Sequence, residues 1–125
     1  MVIGIGVDTV DTARLEHALT RWGGRLLNRL FTVGEIQACS GKHDRIGSLA
    51  ARFAAKEALF KAMGTGQRRG TGWKDAEVVS DASGSPRLVL SGRLKERVGR
   101  RRIHVSLSRD SRNAVAVVVI ETVEE

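Results

Sequence analysis

The sequence predicts an α+β fold, an antiparallel sheet packed on one long central helix, and two observations predict it. From Leu49 to Met63 the chain is apolar on almost every side at helical spacing. Leu49, Phe53, Leu59, Phe60 and Met63 form a bulky face, and Ala50, Ala51, Ala54, Ala55, Ala58 and Ala62 form a second face of small residues. A helix of that kind is buried. Short runs rich in Val, Ile and Leu lie on either side of it, bounded by Gly, Pro, Asp and Ser, and read as strands. No internal repeat, low-complexity tract or linker divides the chain, so residues 1–125 are read as a single domain.

In order, Val2, Ile3, Ile5 and Val7 read as a short buried strand interrupted by Gly4 and Gly6 and ending at Asp8. Asp8 is placed as a turn former or helix cap, because helical periodicity runs from Thr9 to Trp22. GIGVD also begins like a dinucleotide loop, but Thr9 stands where the third glycine belongs, which excludes that reading. Leu26 to Phe31 leads to Thr32, whose spacing to Glu35 is that of a capping box opening a short helix to about Cys39. After a connection at 41–45, the long helix runs to Gly64. The loop Thr65 to Gly72, with Gly66, Gly70, Gly72, Arg68 and Arg69, is expected to be mobile, basic and ordered by ligand. Strands are predicted near Ala76–Ser80 and Arg87–Leu90, with turn chemistry at Asp81, Gly84 and Pro86 between them. A short helix near Gly92–Val98 precedes the last two strands, about Arg102–Ser108 and Asn113–Glu121, joined by a polar turn.

Composition narrows the function classes without choosing one. With 125 residues the core is modest, and a sizeable ligand site calls for a neighbouring subunit. A net charge of +7 and a pI near 10.7 point to acidic partners, whether nucleic acid, anionic membrane or acidic protein. The lone Cys39 is expected as a free thiol in a reducing compartment, and the lack of a basic, apolar leader or long apolar run predicts a cytoplasmic protein without a membrane span. A small basic nucleic-acid-binding module is the strongest rival class, invited by Arg100, Arg101 and Arg102. Few aromatic residues and no recognised nucleic-acid motif speak against it.

The charges inside the long helix need a reason to be there. Glu57 and Lys61 lie one turn apart, and so do Arg52 and Lys56. The second pair sets cation beside cation, a conflict that a bound phosphate would remove. Carboxylates elsewhere in the fold, or side chains that snorkel to water, would remove it too.

Taken together, GIGVDTVDTARLE at 4–16, RFAAKEALFKAMGTG at 52–66, Trp73 with Asp75, SGSPRLVL at 83–90 and HVSLS at 104–108 resemble the holo-acyl-carrier-protein synthase family of 4′-phosphopantetheinyl transferases, nearly end to end. The resemblance implies the 4′-phosphopantetheinyl transferase fold. It also implies transfer of phosphopantetheine from coenzyme A to a serine of an acidic carrier protein of fatty-acid or polyketide synthesis, leaving adenosine 3′,5′-bisphosphate. It further implies a homotrimer whose coenzyme A sites form where two subunits meet.

By that resemblance Asp8 and Glu57 bind magnesium, Lys61 offsets charge on the diphosphate, and His104 orients ligand or substrate. Two carboxylates with the remaining positions left to substrate and water is a common magnesium ligand set. Gly64 and Gly66 flank Thr65 at a helix carboxyl end, where the dipole disfavours phosphate, so this loop is no anion nest. It is expected to let backbone approach the nucleotide of coenzyme A, with Arg52, Lys56, Arg68 or Arg69 supplying positive charge. Pro86 resembles the family's contact with the same ligand. In the first helix, Leu15, Ala18, Leu19 and Trp22 make an apolar stripe beside Arg14, His17 and Arg21, and an early basic helix docks the carrier in this family, which assigns docking to Arg14 and Arg21. Arg109 and Asn113 depart from the family's usual histidine and tyrosine, which bears on the last strand pair and on carrier choice.

Overall fold

A strand laid directly on a helix backbone organises the molecule. The structure, a computed structural model, describes residues 1–64 and 69–124. Its elements are β1 (Val2–Asp11), α1 (Thr12–Leu30), α2 (Val33–Cys39), α3 (Arg45–Met63), a 3-10 turn (Trp73–Asp75), β2 (Ala76–Ser80), β3 (Pro86–Leu90), α4 (Gly92–Val98), β4 (Arg102–Arg109) and β5 (Asn113–Glu121). β1, β5 and β4 form an antiparallel sheet in that order, and β2 and β3 form a separate antiparallel pair.

α3 packs across the inner face of the larger sheet. There Ala54, Ala55, Ala58, Leu59 and Phe60 meet Val10, Ala114, Ala116, Val118 and Ile120, all buried. The small-residue face of α3 is what lets β1 come so close. A Cβ built on Gly4 would overlap the carbonyl oxygen of Ala62, and one on Gly6 would overlap that of Ala58. The two glycines are therefore not interruptions of β1. They are the points at which it touches the helix.

Other features of β1 correct the sequence expectation. It runs on to Asp11, pairing Asp8 with Ala116 and Asp11 with Asn113, so Asp8 lies inside the strand. Asp11, not Asp8, is the cap of α1, accepting from the Arg14 amide at 3.1 Å. The strand is also buried on the opposite face from the one its apolar residues suggest. Gly6 and Val10 face α3, whereas Ile5 and Val7 are 66% and 54% exposed, with Val2 and Ile3 exposed as well. Val117, paired with Val7 on β5, continues this uncovered apolar surface.

α1 reaches further than its first periodic stretch. Gly23, at φ 62° and ψ −148°, kinks it, and a second segment carries Leu26, Leu27 and Leu30 back to the core. α2 opens with the expected capping box: the Thr32 hydroxyl accepts from the Glu35 amide at 3.1 Å, and the Glu35 carboxylate accepts from the Thr32 amide at 3.0 Å. α3 ends at Gly64, whose φ of 86° suits glycine. The β4–β5 hairpin keeps unbroken register from Arg102 to Arg109, and Arg109 donates to the Ser48 hydroxyl at 3.1 Å, tying the hairpin to the start of α3.

Candidate active site

The site forms where β1 crosses α3. Inward-facing residues alternate along a strand, so Asp8 follows Gly6 onto the α3 side, where Glu57 and Lys61 lie one turn apart. Lys61 Nζ donates to Asp8 Oδ1 at 2.7 Å and to the Val7 carbonyl at 3.2 Å. Lys61 thus turns across to β1, with its side chain 58% exposed against 17% for Asp8. Glu57 is held from another direction: its Oε2 accepts from the Trp73 indole N–H at 3.3 Å. Trp73 is fixed by its tilt against Phe53, 6.1 Å between ring centroids, and by the Arg29 guanidinium 5.9 Å above it. An exposed ammonium and a largely covered carboxylate meet at the crossing, and a second carboxylate is oriented by a partly buried aromatic pair.

The donor chemistry suits a hard divalent cation. Asp8 and Glu57 offer carboxylate oxygens and no softer atom, the set that magnesium takes when phosphate and water fill its remaining positions. Among the described residues no group of three or more His, Cys, Asp or Glu gathers as a self-sufficient metal site. A cation here would depend on its substrate for coordination.

Lys56 corrects the sequence expectation of a phosphate ligand. It is completely buried on the far side of α3 from solvent, where Nζ donates to Glu35 Oε1 and, at 2.8 Å, to the Leu30 carbonyl, with the Phe31 ring 5.3 Å away. Glu35, also completely buried, accepts from the Val78 amide at 2.8 Å through its second oxygen. Burial pushes the Lys56 ammonium below its ordinary pKa, and the adjoining Glu35 carboxylate opposes that. A protein carboxylate thus neutralises Lys56, whose complete burial leaves no face open to a bound phosphate. Sequence reasoning passed over Glu35 as a partner. The available signal was its place in a capping box, one turn into α2, facing a helix that carries a buried cation.

Arg52 is 8% exposed and donates from Nη1 to the Ser48 carbonyl at 3.2 Å, while its buried Nε has no hydrogen-bond acceptor. Gly64 closes α3 and Pro86 opens β3 in the second sheet, each on its own element. Thr65, Gly66 and Arg68 lie outside the described residues. His104 is exposed on the outer face of β4, because Ile103, Val105 and Leu107 take the core side, so within one chain it points away from the side of the sheet that carries Asp8. Arg14, His17 and Arg21 are exposed along α1 beside a buried Leu15. The Arg21 guanidinium stacks 5.1 Å from the Trp22 ring centroid. On either side of the kink, Trp22, Arg25, Leu26 and Arg29 line a groove.

Comparison with known proteins assigns this arrangement to a lineage. Residues 4–119 match the 4′-phosphopantetheinyl transferase superfamily. The chain is similar to the holo-[acyl-carrier-protein] synthase of Methylorubrum populi, 44% identical across 98% of this chain and 96% of the relative. Among solved structures, holo-[acyl-carrier-protein] synthase from Neisseria meningitidis superposes with a TM-score of 0.88 at 32% identity, covering 98% of this chain and 100% of the other. The enzyme from Bacillus anthracis, in complex with CoA (3′,5′-ADP), superposes at 0.82 with 34% identity, covering 98% and 99%.

Proposed function

The chain belongs to the 4′-phosphopantetheinyl transferase superfamily, and we propose that it is a holo-acyl-carrier-protein synthase, moving 4′-phosphopantetheine from coenzyme A to a serine of apo-acyl carrier protein. The observation that carries this reading is the meeting of Asp8 and Lys61 at the β1–α3 crossing, with Glu57 one turn away, inside a stretch that matches the family nearly end to end. The serine hydroxyl attacks the β-phosphorus, the diphosphate bridge breaks, and adenosine 3′,5′-bisphosphate leaves. Such transfers need positioning and charge neutralisation above all.

Asp8 and Glu57 would hold a magnesium ion, which supplies Lewis-acid neutralisation of the diphosphate when bound. Lys61, tethered to β1 yet largely exposed, directs its ammonium toward the same region and offsets charge on the breaking bridge. Arg52 keeps its phosphate-binding assignment, supported by its unpaired Nε, and Gly64, Thr65, Gly66 and Pro86 keep theirs at the nucleotide of coenzyme A. The competing nucleic-acid reading is not favoured, since residues 4–119 match the transferase superfamily and Phe53 and Trp73 pack against each other.

The test is mass spectrometry of apo-carrier protein incubated with enzyme, coenzyme A and magnesium. A phosphopantetheine mass gain is expected, abolished by chelation. Parallel reactions with carriers of fatty-acid and polyketide synthesis identify the acceptor, for which fatty-acid synthesis in the cytoplasm is the assignment. No mass gain on either carrier removes the reading.

Two finer assignments accompany it. Because His104 and Asp8 occupy opposite faces of one sheet, His104 serves the site of a neighbouring copy, and the uncovered Ile5, Val7 and Val117 surface beside it supports such packing. The family resemblance supports three copies. Light scattering at the mass of a single chain would discard this assembly.

Arg14 and Arg21 receive the acidic carrier. Arg14→Glu and Arg21→Glu are expected to raise the apparent KM for carrier by about tenfold or more, with little effect on that for coenzyme A, and added salt should narrow the gap between variant and parent. Equal effects on both substrates would take these arginines out of docking.

A further inference from the structure

The β4–β5 register sets Arg102 opposite Glu121 and His104 opposite Val119, which makes Glu121 the diagonal neighbour of His104 on the outer sheet face. His104 Nε2 lies 2.7 Å from Glu121 Oε1, and Arg102 Nη1 lies 3.8 Å from the same oxygen. The His104 side chain is 54% exposed, and that of Glu121 only 29%. The hydrogen bond from His104 holds the Glu121 carboxyl below its ordinary range, helped by Arg102 and by the amino terminus, which donates to the Thr122 hydroxyl at 3.1 Å. An ionised carboxylate only accepts, so the proton of this bond belongs to Nε2. Nδ1 is then the ring atom left to meet another group.

We propose that Glu121 is the positioning residue for His104, fixing its ring and its Nε2–H form so that Nδ1 is presented as an acceptor to a hydroxyl or N–H group of coenzyme A. This rests on the reading that His104 meets coenzyme A. Nothing in the sequence motif around His104 contains Glu121. It is brought there by the hairpin alone, and it acts through the imidazole without touching substrate. Ring nitrogens in such pairs are commonly set by the group bonded to the other nitrogen.

The test combines kinetics with nitrogen NMR of the His104 ring. Glu121→Ala is expected to lower kcat/KM for coenzyme A by about tenfold, and Glu121→Gln to lower it less, since the amide oxygen still accepts from Nε2. In a His104→Ala background, Glu121→Ala should cost nothing further, because its effect passes through the ring. The ring spectrum should show the Nε2–H form in the parent and in Glu121→Gln, and a mixture of forms in Glu121→Ala.

The proposal is overturned by an equal loss from Glu121→Ala with and without His104, by an Arg102→Gln variant that reproduces the whole effect, or by an unchanged ring spectrum in Glu121→Ala. Failure of the underlying reading looks different. Parental kinetics in His104→Ala alone would remove His104 from the site and this proposal with it, whereas a large loss there with none in Glu121→Ala removes this proposal only.

Discussion

Asp8→Asn and Glu57→Gln are each expected to lower kcat by at least about 10²–10³-fold while the protein stays folded. Both replacements keep the shape of the side chain and remove its charge. At position 57 the amide oxygen can still accept from the Trp73 indole, so the aromatic platform under the site is retained. At position 8 the partner is a Lys61 side chain more than half exposed, and losing such a pair costs no more than about 1 kcal/mol. Little of the activity loss can therefore come from unfolding. Circular dichroism should superpose with the parent, and a magnesium titration of the residual rate should show weakened metal dependence. A parental rate at every magnesium concentration would sink the metal assignment.

Lys56→Met is expected to destabilise the protein by about 3–5 kcal/mol, because removing one member of a buried ion pair strands the other. Glu35 would keep the amides of Thr32 and Val78 but lose its cation, and the Leu30 carbonyl would lose a donor. For a domain of this size that is a fall of roughly 10–20 °C in Tm. Glu35→Gln should cost a similar amount by stranding the ammonium instead. The double change Lys56→Met with Glu35→Gln should cost less than the two single costs added together, since neither charge is then left unpaired. Calorimetry of the four proteins decides. If Lys56→Met melted like the parent and bound coenzyme A more weakly, the cross-tie would be unimportant and Lys56 would return to the phosphate site.

The parts legible in the sequence were those with a local cause. The Thr32–Glu35 capping box, the extent of α3 up to Gly64 and the two hairpins follow from spacing and turn residues within a few positions. Asp8, Glu57 and Lys61, singled out through their motifs, lie where β1 crosses α3. What escaped depended on partners far along the chain. Lys56 meets Glu35 across 21 positions, and Glu57 meets Trp73 across 16. β1 was misread because apolar residues normally mark the inner face, and here glycine holds the inner face while valine and isoleucine look outward. The pairing of His104 with Glu121 could have been found by counting outward from the Asp110–Arg112 turn, since a regular hairpin fixes every cross-strand neighbour.

The crossing at Gly4 and Gly6 also bears on inheritance. Any single-base change in a glycine codon that alters the residue either stops the chain or installs a carbon where Ala58 and Ala62 already present their carbonyl oxygens. No neighbouring genotype relieves that overlap by a side-chain rotation, because both obstacles are backbone. A lineage carrying this enzyme can redesign the exposed face of its first helix or its surface charge one step at a time. The spacing between the strand that bears Asp8 and the helix that bears Glu57 and Lys61 can drift only if both elements move together.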